Sequence, residues 1–97
     1  MLTEILAGNP SDAFARYGLA MEYSKAGRTE AALAEFANLL EQHPDYTAGY
    51  FMAAQTLAAA GRNDEARQML QDGIASTLRT GNQHAQSEME AMLAELP

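Results

Sequence analysis

The chain contains no cysteine, which excludes a disulfide frame, a thiol nucleophile and any thiolate metal site, and fits a reducing compartment. It also lacks tryptophan and valine and has three prolines in 97 residues. A chain without valine is poorly supplied for strands, which favour β-branched side chains. Positive charge is scarce as well. Six Lys and Arg stand against thirteen Asp and Glu, giving a net charge of −7. The cations are scattered singly as Arg16, Lys25, Arg28, Arg62, Arg67 and Arg79. Nucleic acid needs clustered Lys and Arg for its phosphates and an anionic membrane surface needs them for its headgroups, so neither is an expected partner. The first six residues, Met-Leu-Thr-Glu-Ile-Leu, show no basic segment followed by a long apolar one, so no signal peptide is read there. The longest apolar run, Ala48 to Ala54 counting Gly49, is far short of a bilayer span. The expectation is a soluble, cytoplasmic protein.

What is present favours helix. Hydrophobic residues make up 47% of the chain. Alanine is the most frequent residue, with leucine and glutamate plentiful, and all three lose little freedom in a helix. The length suits a single domain spanning residues 1–97, which at this size buries about 60–70% of its unfolded surface.

A period of 34 residues runs through the sequence. Leu6 recurs as Leu40, Pro10 as Pro44 and Ala20 as Ala54. Ala26-Gly27-Arg28 recurs as Ala60-Gly61-Arg62, and Ala32 as Ala66. Ile5 with Leu39, Tyr17 with Phe51, Glu30 with Asp64 and Phe36 with Leu70 are conservative matches. Such self-similarity means stacked supersecondary units. Each unit reads as two helices. The first starts after Pro10, with Ser11 or Asp12 as cap, and ends at Gly27, a residue suited to the left-handed turn. The second is expected to be capped by Thr29, with Glu30 favourably set against the dipole, and to stop at about Gln42 before Pro44. The next unit runs from about Tyr46 to Ala60, turns at Gly61, takes Asn63 as cap and continues towards Arg79.

On these residues the stretch 13–46 resembles a tetratricopeptide repeat, and 47–80 resembles a second. Ala20, Ala32, Ala54 and Ala66 sit where the two helices of such a repeat touch. Tyr23, Phe36 and Pro44, then Tyr50, Leu57 and Leu70, occupy its large positions. Residues 2–12 are similar to the last half of a preceding repeat, with Leu2, Ile5, Leu6 and Pro10 in register with Phe36, Leu39, Leu40 and Pro44. Three positions depart from the pattern: Arg16 replaces an aromatic, Gly73 a small apolar residue, and Leu78 the expected proline. Without that proline the helix can continue to Thr80 and stop at Gly81. The resemblance implies an all-α, right-handed α-solenoid of antiparallel helix pairs: two repeats, a preceding half repeat and a C-terminal capping helix over 81–97. In that last segment Asn82 is the expected cap, and Ala85, Met89, Met92, Leu93 and Leu96 recur on one helical face.

The first helix of each unit carries two apolar stripes where packing in a pair calls for one. Leu19, Ala20 and Tyr23, with Tyr50, Ala53, Ala54 and Leu57, form the stripe that packs within the stack. Phe14, Tyr17 and Met21 form a second, turned roughly 130° away by the helical period. Its counterparts are Ala48, Phe51, Gln55 and Ala58, with Met52 beside them. The plain alternative is that these residues pack against a neighbouring helix. The resemblance implies that this face lines a concave groove for a protein or peptide partner. Phe14, Tyr17, Met21, Phe51, Met52 and Gln55 are the candidate partner-binding residues. Some relatives of this class clamp a terminal carboxylate with cations, but the matching Tyr17, Met21, Met52, Asn82 and Gln86 include none. An apolar or amphipathic segment is the expected occupant, held with little dependence on salt because the named positions are uncharged.

Nothing in the sequence assembles a catalytic or cofactor site. His43 precedes Pro44 at a helix end, where a cation suits the dipole. His84 and Glu88, at i and i+4, could share a metal, but two ligands without a third make a poor site. Gly27 and Gly61 punctuate helices and cradle no phosphate. A non-catalytic interaction module without metal or cofactor is the expectation. Its alternative is a self-associating protein whose groove or exposed end forms a homodimer, since about three repeats are usually needed for a continuous core.

Overall fold

Asp12 sets the pattern of the structure, because its carboxylate accepts from the Ala15 amide at 2.9 Å and fixes where the first long helix begins. The computed structural model describes residues 1–97 as six helices and no strand: α1 Leu2–Gly8, α2 Ala13–Lys25, α3 Thr29–Gln42, α4 Thr47–Ala59, α5 Asn63–Thr80 and α6 Gln83–Glu95. Each packs on the next, while α2 touches α4 and α4 touches α6. The result is an all-α stack of helix pairs measuring 39 × 30 × 17 Å.

The two αα turns are the same turn. Gly27 and Gly61 have φ of 75° and 76°, the left-handed region that side chains avoid. In both, the amide of the following Arg, Arg28 or Arg62, reaches back to Tyr23 or Leu57 at 2.9 Å. The expected caps on the far side are displaced by one residue. Arg28 and Arg62 occupy the cap positions of α3 and α5, and neither makes a side-chain cap bond. Thr29 and Asn63 are the first helical residues instead, because the glycine turn delivers the chain into helix one step earlier. Asn82 does cap α6, accepting from Ala85 at 3.1 Å.

Where backbones approach, the residues are small. Ala20, Ala32, Ala53, Ala54 and Ala66 are fully buried, and Phe36, Leu39 and Leu70 fill the space between them. The apolar stripe of α6 closes the far end, with Met89 buried and Met92, Leu93 and Leu96 packed around Tyr50, Ala54 and Leu70. Ile5, in register with the buried Leu39, is 42% exposed, because α1 packs only on α2.

Each departure from the repeat pattern has a local reason. Tyr50 donates its hydroxyl to the Pro44 carbonyl at 2.6 Å. Arg16, 34 residues earlier, donates to the Pro10 carbonyl at 2.9 Å, so it makes the same tie, and it also pairs with Glu35. Gly73 stands in register with Leu39. A Cβ there would lie 2.7 Å from the Met89 sulfur, so the missing side chain is what admits Met89. With Leu78 in place of proline, α5 runs to Thr80, and Arg79 reaches Asp45 in the α3–α4 turn at 2.7 Å. Ser76 donates to the same carboxylate at 3.1 Å.

Candidate functional site

The helices α2, α4 and α6 share one side of the stack, and an open cavity of about 320 Å³ lies on it. Tyr17 of α2 and Phe51 and Met52 of α4 line it together, with Thr47 and Ala48 at the start of α4. Asn82, His84, Ala85, Glu88 and Met89 form the wall contributed by α6 and its cap. A second hollow of about 440 Å³ continues along α4 and α6, lined by Phe51, Gln55, Glu88, Ala91, Met92 and Glu95. Phe51 and Glu88 belong to both, so the two form one trough. Volumes at the low end of small-molecule clefts, in an open setting, suit a few side chains of a partner rather than an enclosed cofactor.

Of the six candidate residues, Tyr17, Phe51 and Met52 meet in the first hollow and Gln55 lies in the second. Met21 is half-buried against the core around Phe36 and lines neither. Phe14 also lines neither and is 76% exposed. The preceding α1 seats Leu2 and Leu6 against Gly18, Ala15 and Leu19, which covers Ala15 in the first turn of α2 and leaves Phe14 beside it exposed.

Tyr17 has structural duties as well. Its ring meets Phe36 edge-on at 6.4 Å and lies 5.4 Å from Tyr46. Burial pushes its hydroxyl above the ordinary tyrosine value, and Tyr46 is raised for the same main reason. Phe51 is half-buried too, packed on one side against the core around Tyr50, Ala54, Leu70 and Met89 and lining both hollows on the other. Near the C-terminal ends of the two helices, the Ser24 and Thr56 hydroxyls share a hydrogen bond of 2.9 Å, linking α2 to α4.

The sequence reading draws its six candidate residues from α2 and α4 and sets only Asn82 and Gln86 on that face beyond them, whereas the structure builds a full third wall from α6. The signal for the rest of that wall is one more step of the 34-residue register, from Tyr17 and Phe51 to Ala85. Gln86, grouped with Asn82 by that reading, points away and reaches Glu90. The third wall also corrects the expectation of an uncharged surface, since it carries Glu88 and Glu95. Glu88 stands in register with Ala20 and Ala54, which are buried beneath a following helix. Within these residues α6 has no such helix on it, and it turns Met89 inward, leaving Glu88 in the trough. His84 lies 3.2 Å from Glu88, with its side chain 88% exposed.

Helix pairs stacked with alanine contacts, glycine turns and an open face of alternate helices define a helical-repeat protein of the solenoid class. The family model for the tetratricopeptide repeat matches residues 23–96, and the chain belongs to that family. A TPR repeat-containing protein of Pseudomonas aeruginosa is 34% identical over 95 residues, covering 98% of this chain and 90% of its own. The solution structure of a tetratricopeptide repeat domain protein from Salinibacter ruber superposes with a TM-score of 0.83 at 32% identity, covering 90% of this chain and 88% of that one. YrrB, a TPR protein with an unusual peptide-binding site, superposes with a TM-score of 0.73 at 28% identity over 77% of this chain and 39% of its own. Tetratricopeptide folds generally mediate protein–protein interaction and are generally not catalytic. No helix of this chain is long and apolar enough to cross a membrane.

Proposed function

We propose that the chain is a non-catalytic adaptor that seats an apolar or amphipathic segment of a partner protein in the trough between α2, α4 and α6. The observation that carries this reading is the meeting of Tyr17, Phe51 and Met52 in one open cavity, where Phe51 has apolar surface that the fold leaves uncovered. Aromatic anchors seated in a pocket dominate interface energies. Methionine adds a surface that adapts to varied side chains. The peptide-binding site of YrrB supports the reading by fold and family likeness. A cysteine-free module of this kind works unchanged in the reducing cytoplasm, where we place it.

The test pairs Phe51→Ala with Tyr17→Ala, checks that helicity is retained, and measures affinity for a peptide selected from a random library on the wild-type protein. Both rings also pack on the core, Tyr17 on Phe36 and Phe51 beside Tyr50 and Leu70, so the helicity check applies to each variant separately. The expected loss is about thirtyfold, corresponding to about 2 kcal/mol for a truncated anchor. Undiminished binding by folded variants sinks the reading. Light scattering at two concentrations separates the homodimer: a dimer that dissociates on Phe51→Ala assigns the trough to self-association.

A further inference from the structure

The α6 wall says what kind of segment the trough takes. No Lys or Arg lines either hollow, whereas Glu88 lies in both and Glu95 in the second. The arginines that hold carboxylates elsewhere are committed to Glu35, Glu30, Glu65, Asp64 and Asp45, and none reaches the trough acids. The one ionisable neighbour of Glu88 is His84, which meets a single oxygen of the carboxylate from an exposed position. An apolar strip of Tyr17, Phe51, Met52 and Met92 therefore runs beside an acidic edge, on a molecule whose net charge is −7.

A partner laid on the apolar strip removes water from that edge. A neutral or acidic segment would leave Glu88 desolvated and unpaired, which is costly, while a cation placed there compensates it. Glu88 and Glu95 are seven residues apart on one helix, about 10.5 Å along its axis at 1.5 Å per residue. A second helix lying lengthwise matches that interval with basic residues at i and i+7, one apolar face down and one basic flank towards α6. We infer that the occupant is a basic amphipathic helix of a partner protein, with its cations paired to Glu88 and Glu95. The inference rests on the proposed groove and adds the charge of what enters it. The negative field also speeds encounter with such a segment.

The experiment uses three fluorescent synthetic helices of about 15 residues with one shared apolar face. Their flanking positions, seven apart, carry Lys, Gln or Glu, and binding to the whole chain is read by anisotropy at low and high salt. The Lys-flanked probe should bind most tightly and weaken with salt, and the Glu-flanked probe should bind least. Glu88→Gln and Glu95→Gln should each weaken the Lys-flanked probe about two- to fivefold. Glu90→Gln removes the same charge from α6 outside the trough and should leave it unchanged. Equal binding of the Lys and Gln probes, or an effect of Glu90→Gln equal to that of Glu88→Gln, overturns the charge pairing. If Phe51→Ala still abolishes binding in that case, the groove itself stands. Lys-probe binding indifferent to Phe51→Ala overturns the groove, and no binding by any probe overturns both.

Discussion

Replacing Gly73 with alanine probes the contact that sets the third wall of the trough. A Cβ at residue 73 would stand 2.7 Å from the Met89 sulfur, 3.2 Å from its terminal methyl and 2.7 Å from the Tyr50 Cβ. The methionine end can swing aside. The Tyr50 Cβ cannot, because it is fixed to the α4 backbone, so α5 and α4 must separate and Met89 must shift as well. Overpacking of this kind costs about 1–3 kcal/mol. Alanine in place of glycine inside a helix returns about 1 kcal/mol. The balance is a net loss of about 1 kcal/mol, or a melting temperature about 4–8 °C lower for a domain of this size. Thermal unfolding followed by far-UV circular dichroism reads it. Because Met89 shares the site, Gly73→Ala with Met89→Ala should cost less than the sum of the two singles. A raised melting temperature for Gly73→Ala would mean that helix propensity alone governs the site and that α6 is not seated as described.

Other substitutions follow from the same geometry. Ala54→Leu forces a branched side chain into a fully buried contact and should destabilise by about 1–3 kcal/mol in denaturant unfolding; an unchanged midpoint would contradict the close approach there. Gly61→Val meets no atom within 4 Å but must adopt φ near 76°, so it should cost about 1–3 kcal/mol through backbone strain alone. Asp45 tests the charge tie between turns: the hydrogen bond from Arg79 holds its carboxyl below the ordinary value of 3.8. A lowered folded value means stability present above the ordinary value and lost as pH falls through the folded one. Asp45→Asn should therefore be less stable than wild type at neutral pH, and the gap should close below about pH 3.8; a gap that persists in acid would refute it.

Much of this architecture is legible in the sequence because the repeat constrains it twice. Gly27 and Gly61 announce the turns, and Ala20, Ala32, Ala54 and Ala66 announce the contacts, at the same interval each time. Helix starts are less legible. Thr29 and Asn63 look like caps by residue type, yet the left-handed glycine two residues earlier hands the cap position to Arg28 and Arg62, whose side chains have no acceptor to offer. The half-buried face of α2 and α4 could be read from the second stripe at Tyr17 and Phe51. The α6 wall could not be read from its apolar stripe, because Met89, Met92, Leu93 and Leu96 describe only how the helix caps the core. The residues it turns towards the trough, Glu88 among them, follow from α6 packing on α5 without a further helix over it. That orientation is a tertiary fact, and it changed the trough from uncharged to acidic on one side.

The most direct test of the groove is an NMR titration of the labelled chain with the Lys-flanked amphipathic helix. Shift changes concentrated on Tyr17, Phe51, Met52, Ala85 and Glu88, and absent from Phe51→Ala, are the predicted result. Changes centred instead on the opposite side, around Leu40, Met69 and Ala75, would contradict the account.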